Sequence, residues 1–395
     1  MKKFWFGLAA SLFGESATAV NLFAASYAGS VYSLALGQTN GSLELSTRSR
    51  SAKCGISPSW LMHDDTNGVL YCLDEAIGAS NGSITSFNTH RNGSLDAINT
   101  LTVPGGPVMS AMYSALGVHD HDFFAVAHYA TSTVTTYSVD RARGIFKKLQ
   151  TFTYEMSSPG PNAARQDAPH PHGVVVDPTG QYVLVPDLGA DLVRIFYINP
   201  VTGYLEPTDP YVAAPGSGPR HGIFWTPKGS QKNTTEVYFY LVHELTNRLS
   251  GYRVSYTRCG LHFSEIFEGS SFGNGTAPAG SKVAEIAISP ENDHIVVSNR
   301  LDNTFGQKND SLAVFSCADF EGKIFNGVRF LGLYPAYGSS ARSFQIAGSL
   351  GLISVGLENS QKVAIAEWNK CTGRPGKLLG EKLFDGDIPA VAWEL

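Results

Sequence analysis

The 395 residues suffice for two or three ordinary domains or for one large all-β domain. Hydrophobic residues make up 43% and charged residues only 16%, while 41 Gly, 22 Phe and 17 Tyr favour short strands joined by tight turns. A net charge of −5 without a basic stripe excludes a general nucleic-acid binder.

The chain opens with a processing signal. Lys2 and Lys3 precede an apolar stretch from Phe4 to Phe13, and Ala17-Thr18-Ala19 forms a small-residue exit. Residues 1–19 therefore read as a signal peptide cleaved before Val20, leaving 20–395 as a single domain. No later stretch approaches the roughly 20 apolar residues that span a bilayer, so the mature chain is expected to be soluble, exported and without membrane insertion. Six N-x-S/T sequons in turn-like sequence suit that route: Asn40, Asn81, Asn92, Asn233, Asn274 and Asn309. Of five cysteines, Cys54 and Cys72 close a short loop and are the preferred disulfide in an oxidising compartment. The odd number leaves at least one of Cys259, Cys317 and Cys371 free or paired between chains.

From there an alternating strand, a polar turn, a glycine and a second strand recur in chain order. The copies are VYSLALGQTNGSLEL, ITSFNTHRNGSLDAI, VTTYSVDRARGIFKKL, VRIFYINPVTGYLEP, LSGYRVSYTRCGLHF, LAVFSCADFEGKIFN and VAIAEWNKCTGRPGKL. Their marker glycines are Gly41, Gly93, Gly144, Gly203, Gly260, Gly322 and Gly373, spaced by 51 to 62 residues. That spacing suits four strands per unit. Short apolar segments alternate with these copies: PSWLMHD, VMSAMYS, HGVVVDP, HGIFWTP, AEIAISP, SFQIAGS and a final AVAWEL. They read as innermost strands. The first unit lacks one, and the C-terminus ends on a spare. The pattern predicts a seven-bladed β-propeller closed by pairing residues 388–395 with the blade begun by residues 21–36.

Successive strands are antiparallel, so the starts of first strands and the ends of second strands share one face, around the channel mouth. The strand-one starts carry His170, His172, Arg220, His221, Glu285 and Arg342. The strand-two ends carry Asp74, Glu75, His128, Asp187, His243, Glu244, Asn299, Arg300 and Glu358. Desolvating ionisable groups is costly unless they are paired or functional. Arginine forks match carboxylate or phosphate, and histidine suits proton transfer near neutrality. A small anionic ligand with proton transfer beside it is implied. Two Gly/Pro/Ser-rich loops, 157–168 and 269–280, run into first strands on this face and are candidate rims. Ser59 and Ser289 lack a nucleophile-elbow sequence, and no compact spacing demands a metal.

The chain resembles the seven-bladed lactonase family, which includes bacterial 6-phosphogluconolactonase and the fungal 3-carboxy-cis,cis-muconate cyclase (lactonizing enzyme). It looks most like the secreted fungal branch labelled carboxymuconate cyclase. The resemblance spans the mature chain and is strongest in RQDAPHPHGVVVDPTGQYVLVPDLGADLVRIF, GSGPRHGIFWTP, VHELTNRLSGY, AEIAISP and VSNRLDN. It implies a catalytic set of His172, Arg220, Glu244 and Arg300. In the last repeat, SSARSF stands where the family often has a Pro-Arg pair, with Arg342 retained.

Together these features give a lactone-forming or lactone-opening enzyme acting on a small carboxylated substrate without an organic cofactor or metal. His172 moves the proton with Glu244 assisting, and Arg220 and Arg300 hold carboxylates. His170, Asp187, His221, His243, Glu285 and Arg342 surround the substrate. The alternative is a non-catalytic extracellular glycoprotein that uses the propeller as a platform for cell-wall or surface contact.

Overall fold

In the computed structural model, the described residues are 21–39, 42–115, 122–227, 236–321 and 324–395. They form no helix. Seven antiparallel blade sheets follow one another around a ring, in blades 2 to 7 with the first strand innermost, and Asp319–Glu321 pairs with Ile324–Gly327 as a separate two-stranded sheet. The signal peptide with its cleavage point, marker glycines Gly41 and Gly322, and sequons Asn40 and Asn233 lie outside the described residues.

Closure follows the predicted scheme. The last strand, Ala390–Trp393, pairs antiparallel with the first, Asn21–Ser26, in the register Leu22 with Trp393 through Ala25 with Ala390. Ala390–Trp393 thus becomes the inner strand of blade 1, followed outward by Asn21–Ser26, Ser30–Thr39 and Ser42–Ser51. The closing strand completes blade 1 as a four-stranded sheet and joins the two ends of the described chain.

Second strands such as Val69–Asp74 and Tyr182–Asp187 are buried throughout. Period-two alternation divides their side chains between the two neighbouring blades. In blade 2, Leu70 and Cys72 face blade 1, whereas Val69, Tyr71 and Leu73 face blade 3. The buried apolar side chains consequently form seven clusters, one at each blade junction. The ring is held by these flat interfaces, because the polar channel is no apolar core.

The marker glycines have a packing role. Gly203 sits at φ 71°, and an added Cβ would fall 2.0 Å from the Phe123 ring of the preceding blade. Its carbonyl accepts a hydrogen bond from Tyr113 of that blade at 3.0 Å. Gly144 repeats the arrangement one blade earlier, accepting from Ser86 Oγ at 2.6 Å. The third-to-fourth strand turn must therefore lie flat against its neighbour.

Cys54 and Cys72 form the disulfide preferred from the sequence, with Cα atoms 6.0 Å apart. It ties the connection between blades 1 and 2 to the second strand of blade 2. Cys259 and Cys371 are exposed and free, and Cys317 is buried and free. Among the described sequons, Asn81, Asn92 and Asn274 are exposed, whereas Asn309 is half-buried.

Gly203→Ala should combine left-handed backbone strain with overpacking, a cost of about 2–5 kcal/mol. Gly180→Ala shares the strain at φ 67° but has nothing within 4 Å of the new Cβ. In urea unfolding, Gly203→Ala should lose clearly more stability than Gly180→Ala.

Candidate active site at the channel mouth

A recurrent backbone device builds the mouth. Inner strands carry a one-residue bulge near their start: Ser59 in blade 2, Val108 in blade 3, Arg220 in blade 5 and Arg342 in blade 7 are the extra residues. Blade 6 has the same irregularity between Val283 and Ile286. In blade 4, the N–H groups of His172 and Gly173 both point at the Pro186 carbonyl, at 2.8 and 3.5 Å. Bulges re-aim side chains and bend strands. Proline precedes the extra residue in blades 2, 3 and 5, paired with Asp74, His128 and His243 respectively. Ala341 takes that place in blade 7, opposite Leu357, so losing the proline leaves Arg342 in register.

A second ring of positions lies at the ends of the second strands: Tyr27, Glu75, Tyr129, Leu188, Glu244 and Glu358 directly after them, and Arg300 as the last residue of its strand. Their backbone is held alike. Glu75 N donates to Ser57 O at 3.0 Å, Glu244 N to Gly218 O at 2.8 Å and Glu358 N to Ser340 O at 3.0 Å. Together the two rings enclose a cavity of about 190 Å³ lined by Glu75, Val108, Tyr129, Arg165, His172, Glu244, Lys282, Arg300 and Arg342.

Glu244 is the electrostatic centre. Its carboxylate lies 2.7 Å from Arg165, 2.9 Å from Arg220 and 2.8 Å from Arg300. Burial favours the neutral acid, but these three guanidiniums, Arg300 foremost, push the carboxyl well below its ordinary range. Glu244 therefore acts as a fixed counter-ion, and the proton-moving role expected for it does not fit this environment. Arg220 stands behind the cavity wall. It is 1% exposed and donates from Nη1 to Ala284 O at 2.6 Å. Burial and then the Arg300 charge pull its guanidinium down to about 9, which leaves it protonated at neutral pH.

On the other side, Arg342 contacts Glu358 at 3.1 Å and Glu75 at 3.6 Å. Tyr27 donates to Glu75 at 2.8 Å and Ser340 to Glu358 at 2.6 Å. Lys282 enters from the rim, its ammonium pKa lowered by burial and then by Arg165.

His172 is buried, and its Nδ1 lies 3.2 Å from His221 Nε2. His221 Nδ1 in turn lies 2.9 Å from Glu285 Oε1. Burial lowers the His172 pKa well below 6.5, with further lowering by Arg220, His221, Arg342 and Arg300. The ring is neutral at physiological pH.

Of the residues singled out from sequence, His172, Glu244, Arg300 and Arg342 line the cavity, as does Glu75. Arg220, His221 and Glu285 form the layer behind. His170 is also displaced from the lining: its ring stacks on Tyr129 at 4.1 Å, with Nδ1 on the Tyr129 carbonyl and Nε2 on Asp167. Two expectations are corrected. Asp187 is fully buried, bonded to the His170 and Ala190 amides and to Arg194. His243 Nε2 is bonded to Ser250 Oγ, and burial takes its pKa down to about 4. Both residues end a second strand, where the side chain turns into its own blade. His128 on Thr135 and Asn299 on Ser311 behave alike. The residues after His128, His243 and Asn299, namely Tyr129, Glu244 and Arg300, line the cavity.

Tyr129, Arg165 and Lys282 were missed in the sequence. Arg165 lies on the loop 157–168, whose rim position was legible, and Gln166 anchors that loop by donating to Leu188 O at 3.1 Å. Among the described residues, no group of three or more His, Cys, Asp or Glu is placed to hold a metal ion.

A family model described as lactonase, 7-bladed β-propeller, matches residues 20–385. A probable 6-phosphogluconolactonase of Arthroderma benhamiae is 30% identical over 289 residues, covering 71% of this chain and 69% of that protein. The 6-phosphogluconolactonase of Bacillus subtilis is 25% identical, covering 84% and 85%. The fold also matches the periplasmic gluconolactonase of Pseudomonas aeruginosa, with a TM-score of 0.75, 23% identity and coverage of 95% and 98%. This chain belongs to the seven-bladed β-propeller lactonase family.

Removing the Glu244 charge leaves three buried or half-buried guanidiniums uncompensated. Glu244→Gln should cost about 3–5 kcal/mol in urea unfolding. The folded carboxyl titrates below its unfolded value, so this stabilisation is complete above that value and fades as pH falls through it. Stability of Glu244→Gln should accordingly depend less on acid pH than that of the wild type.

Proposed function

We propose that this member of the seven-bladed lactonase family is a lactone hydrolase acting on a small lactone that carries negative charge. The observation that carries the reading is the cavity itself, which neutral His172 lines together with Arg165, Lys282, Arg300 and Arg342. Two carboxylates, Glu75 and Glu244, oppose those four cations, and Glu244 is already shared among three guanidiniums. The surplus positive charge favours an anionic substituent.

In this reading, His172 takes a proton from water as the resulting hydroxide attacks the lactone carbonyl. Arg300 and Lys282 meet the oxygen that gains charge. Collapse of the tetrahedral intermediate breaks the ring C–O bond, and His172 returns the proton to the departing alkoxide. Free acid is released, with no net change in the protein. A histidine kept neutral has its lone pair available to a proton at neutral pH, as lactone opening requires. The carboxymuconate cyclase direction would instead need an acid to protonate carbon.

We also read the chain as exported and glycosylated. The N-terminal signal pattern, the Cys54–Cys72 disulfide and exposed Asn81, Asn92 and Asn274 support this. Protein from a eukaryotic host should begin near Val20 and lose mass on enzymatic deglycosylation. Retention of Met1 and an unchanged mass would refute export by this route.

Purified protein should be assayed on gluconolactone, 6-phosphogluconolactone and a carboxylated muconolactone, with spontaneous hydrolysis subtracted. His172→Ala should lower kcat about 10²–10⁴-fold, and Arg300→Ala should also lower kcat, because its guanidinium meets charge that develops only in the transition state. The proton-accepting form of His172 persists below 6.5 because its pKa is depressed. Enzymatic kcat/KM should therefore stay level as pH falls through 6.5 and decline only in more acidic solution. Absence of turnover on every lactone would pass the cavity to the non-catalytic platform reading.

A further inference from the structure

Running back from the cavity wall, three ionisable side chains from three successive blades follow one another: His172 of blade 4, His221 of blade 5 and Glu285 of blade 6. We infer that Glu285 and His221 form a proton-ordering relay that fixes His172 in the tautomer with Nδ1 protonated and Nε2 free. The inference deepens the hydrolase reading, because it specifies which nitrogen of the proposed base is available.

Donors and acceptors must alternate along the line. Glu285 Oε1 already accepts the Ile286 N–H at 3.0 Å and faces His221 Nδ1 at 2.9 Å. An ionised carboxylate only accepts, so His221 Nδ1 must carry the proton there. The buried His221 ring is then neutral, with Nε2 unprotonated. That nitrogen lies 3.2 Å from His172 Nδ1, so His172 Nδ1 donates to it. The remaining nitrogen of the neutral His172 ring, Nε2, carries a lone pair. Proton affinities agree with this order: the His221 partner first, and then the Arg220 charge, hold Glu285 low despite its burial, whereas burial lowers both histidines.

The surroundings hold the line in place. Trp60, projecting from the opposite side of the channel, meets the His221 ring edge-on at 6.0 Å. Tyr129 meets His172 edge-on at 5.8 Å. Arg220 Nη1 lies 3.4 Å from His221 Nδ1, but it donates to Ala284 O at 2.6 Å. Its charge opposes protonation of either ring. His221 and Glu285 are thus positioning residues, each acting on substrate through His172.

Protein labelled with ¹⁵N-histidine tests the assignment without any substrate. Loss of one resonance set in His172→Asn identifies His172. Wild type at neutral pH should show His172 with a protonated Nδ1 and a pyridine-like Nε2. Glu285→Gln can reverse donor and acceptor at the head of the line, so His172 should shift toward the Nε2-protonated form. On any lactone that wild type hydrolyses, Glu285→Gln should lower kcat about 10–100-fold with KM little changed, and Glu285→Asp should restore part of it. A wild-type His172 protonated at Nε2 overturns the relay whatever the variants do. So does an unchanged His172 tautomer in folded Glu285→Gln. If the tautomer and its dependence on Glu285 are as stated but no lactone is hydrolysed, the relay stands and the hydrolase reading falls.

Discussion

A one-residue bulge near the start of the inner strands converts a ring of backbone hydrogen bonds into a ring of side chains. In a regular ladder, alternate residues would lie flat against the neighbouring blades, where the clusters between blades require apolar groups. The extra residue breaks that parity at one height in six of the seven blades. Side chains such as His172 and Arg342 leave the interfaces there and enter the channel. A polar mouth thus coexists with dry blade junctions a few residues away.

Charge balance follows from that crowding. Arg165, Arg220 and Arg300 approach one carboxylate, Glu244, and Arg342 is held between Glu358 and Glu75. Buried charges of this density persist only with close partners. Burial first, and then these positive neighbours, keep His172 neutral. The same positive field would attract an anionic ligand and keeps the proton off the base we propose beside it.

Stability and function occupy different parts of each blade. The flat contacts of the marker glycines and the buried second strands hold the ring. The mouth tolerates costly groups because it is braced by backbone hydrogen bonds that recur in several blades. Asp187 and His243 show the boundary between the two. Each is one residue short of the channel, and each spends its polar atoms inside its own blade.

The repeat, the blade count, the closing strand and the Cys54–Cys72 pair were all determined by the sequence, because alternation, glycine spacing and loop length are local signals. Strand topology read from the repeat also placed His172, Glu244, Arg300 and Arg342 at one end of the channel, where they line one cavity. Three things were decided only in three dimensions: which ionisable residues face the cavity, which stand behind it, and which turn into a blade. Side-chain direction at a bulge or strand end changes with a single residue of register, and sequence patterning does not resolve that shift. Arg165 and Lys282 join the site through loops and strand starts whose partners lie far along the chain. Glu244 becomes a counter-ion only because arginines from neighbouring parts of the ring meet there, and tertiary packing alone brings them together.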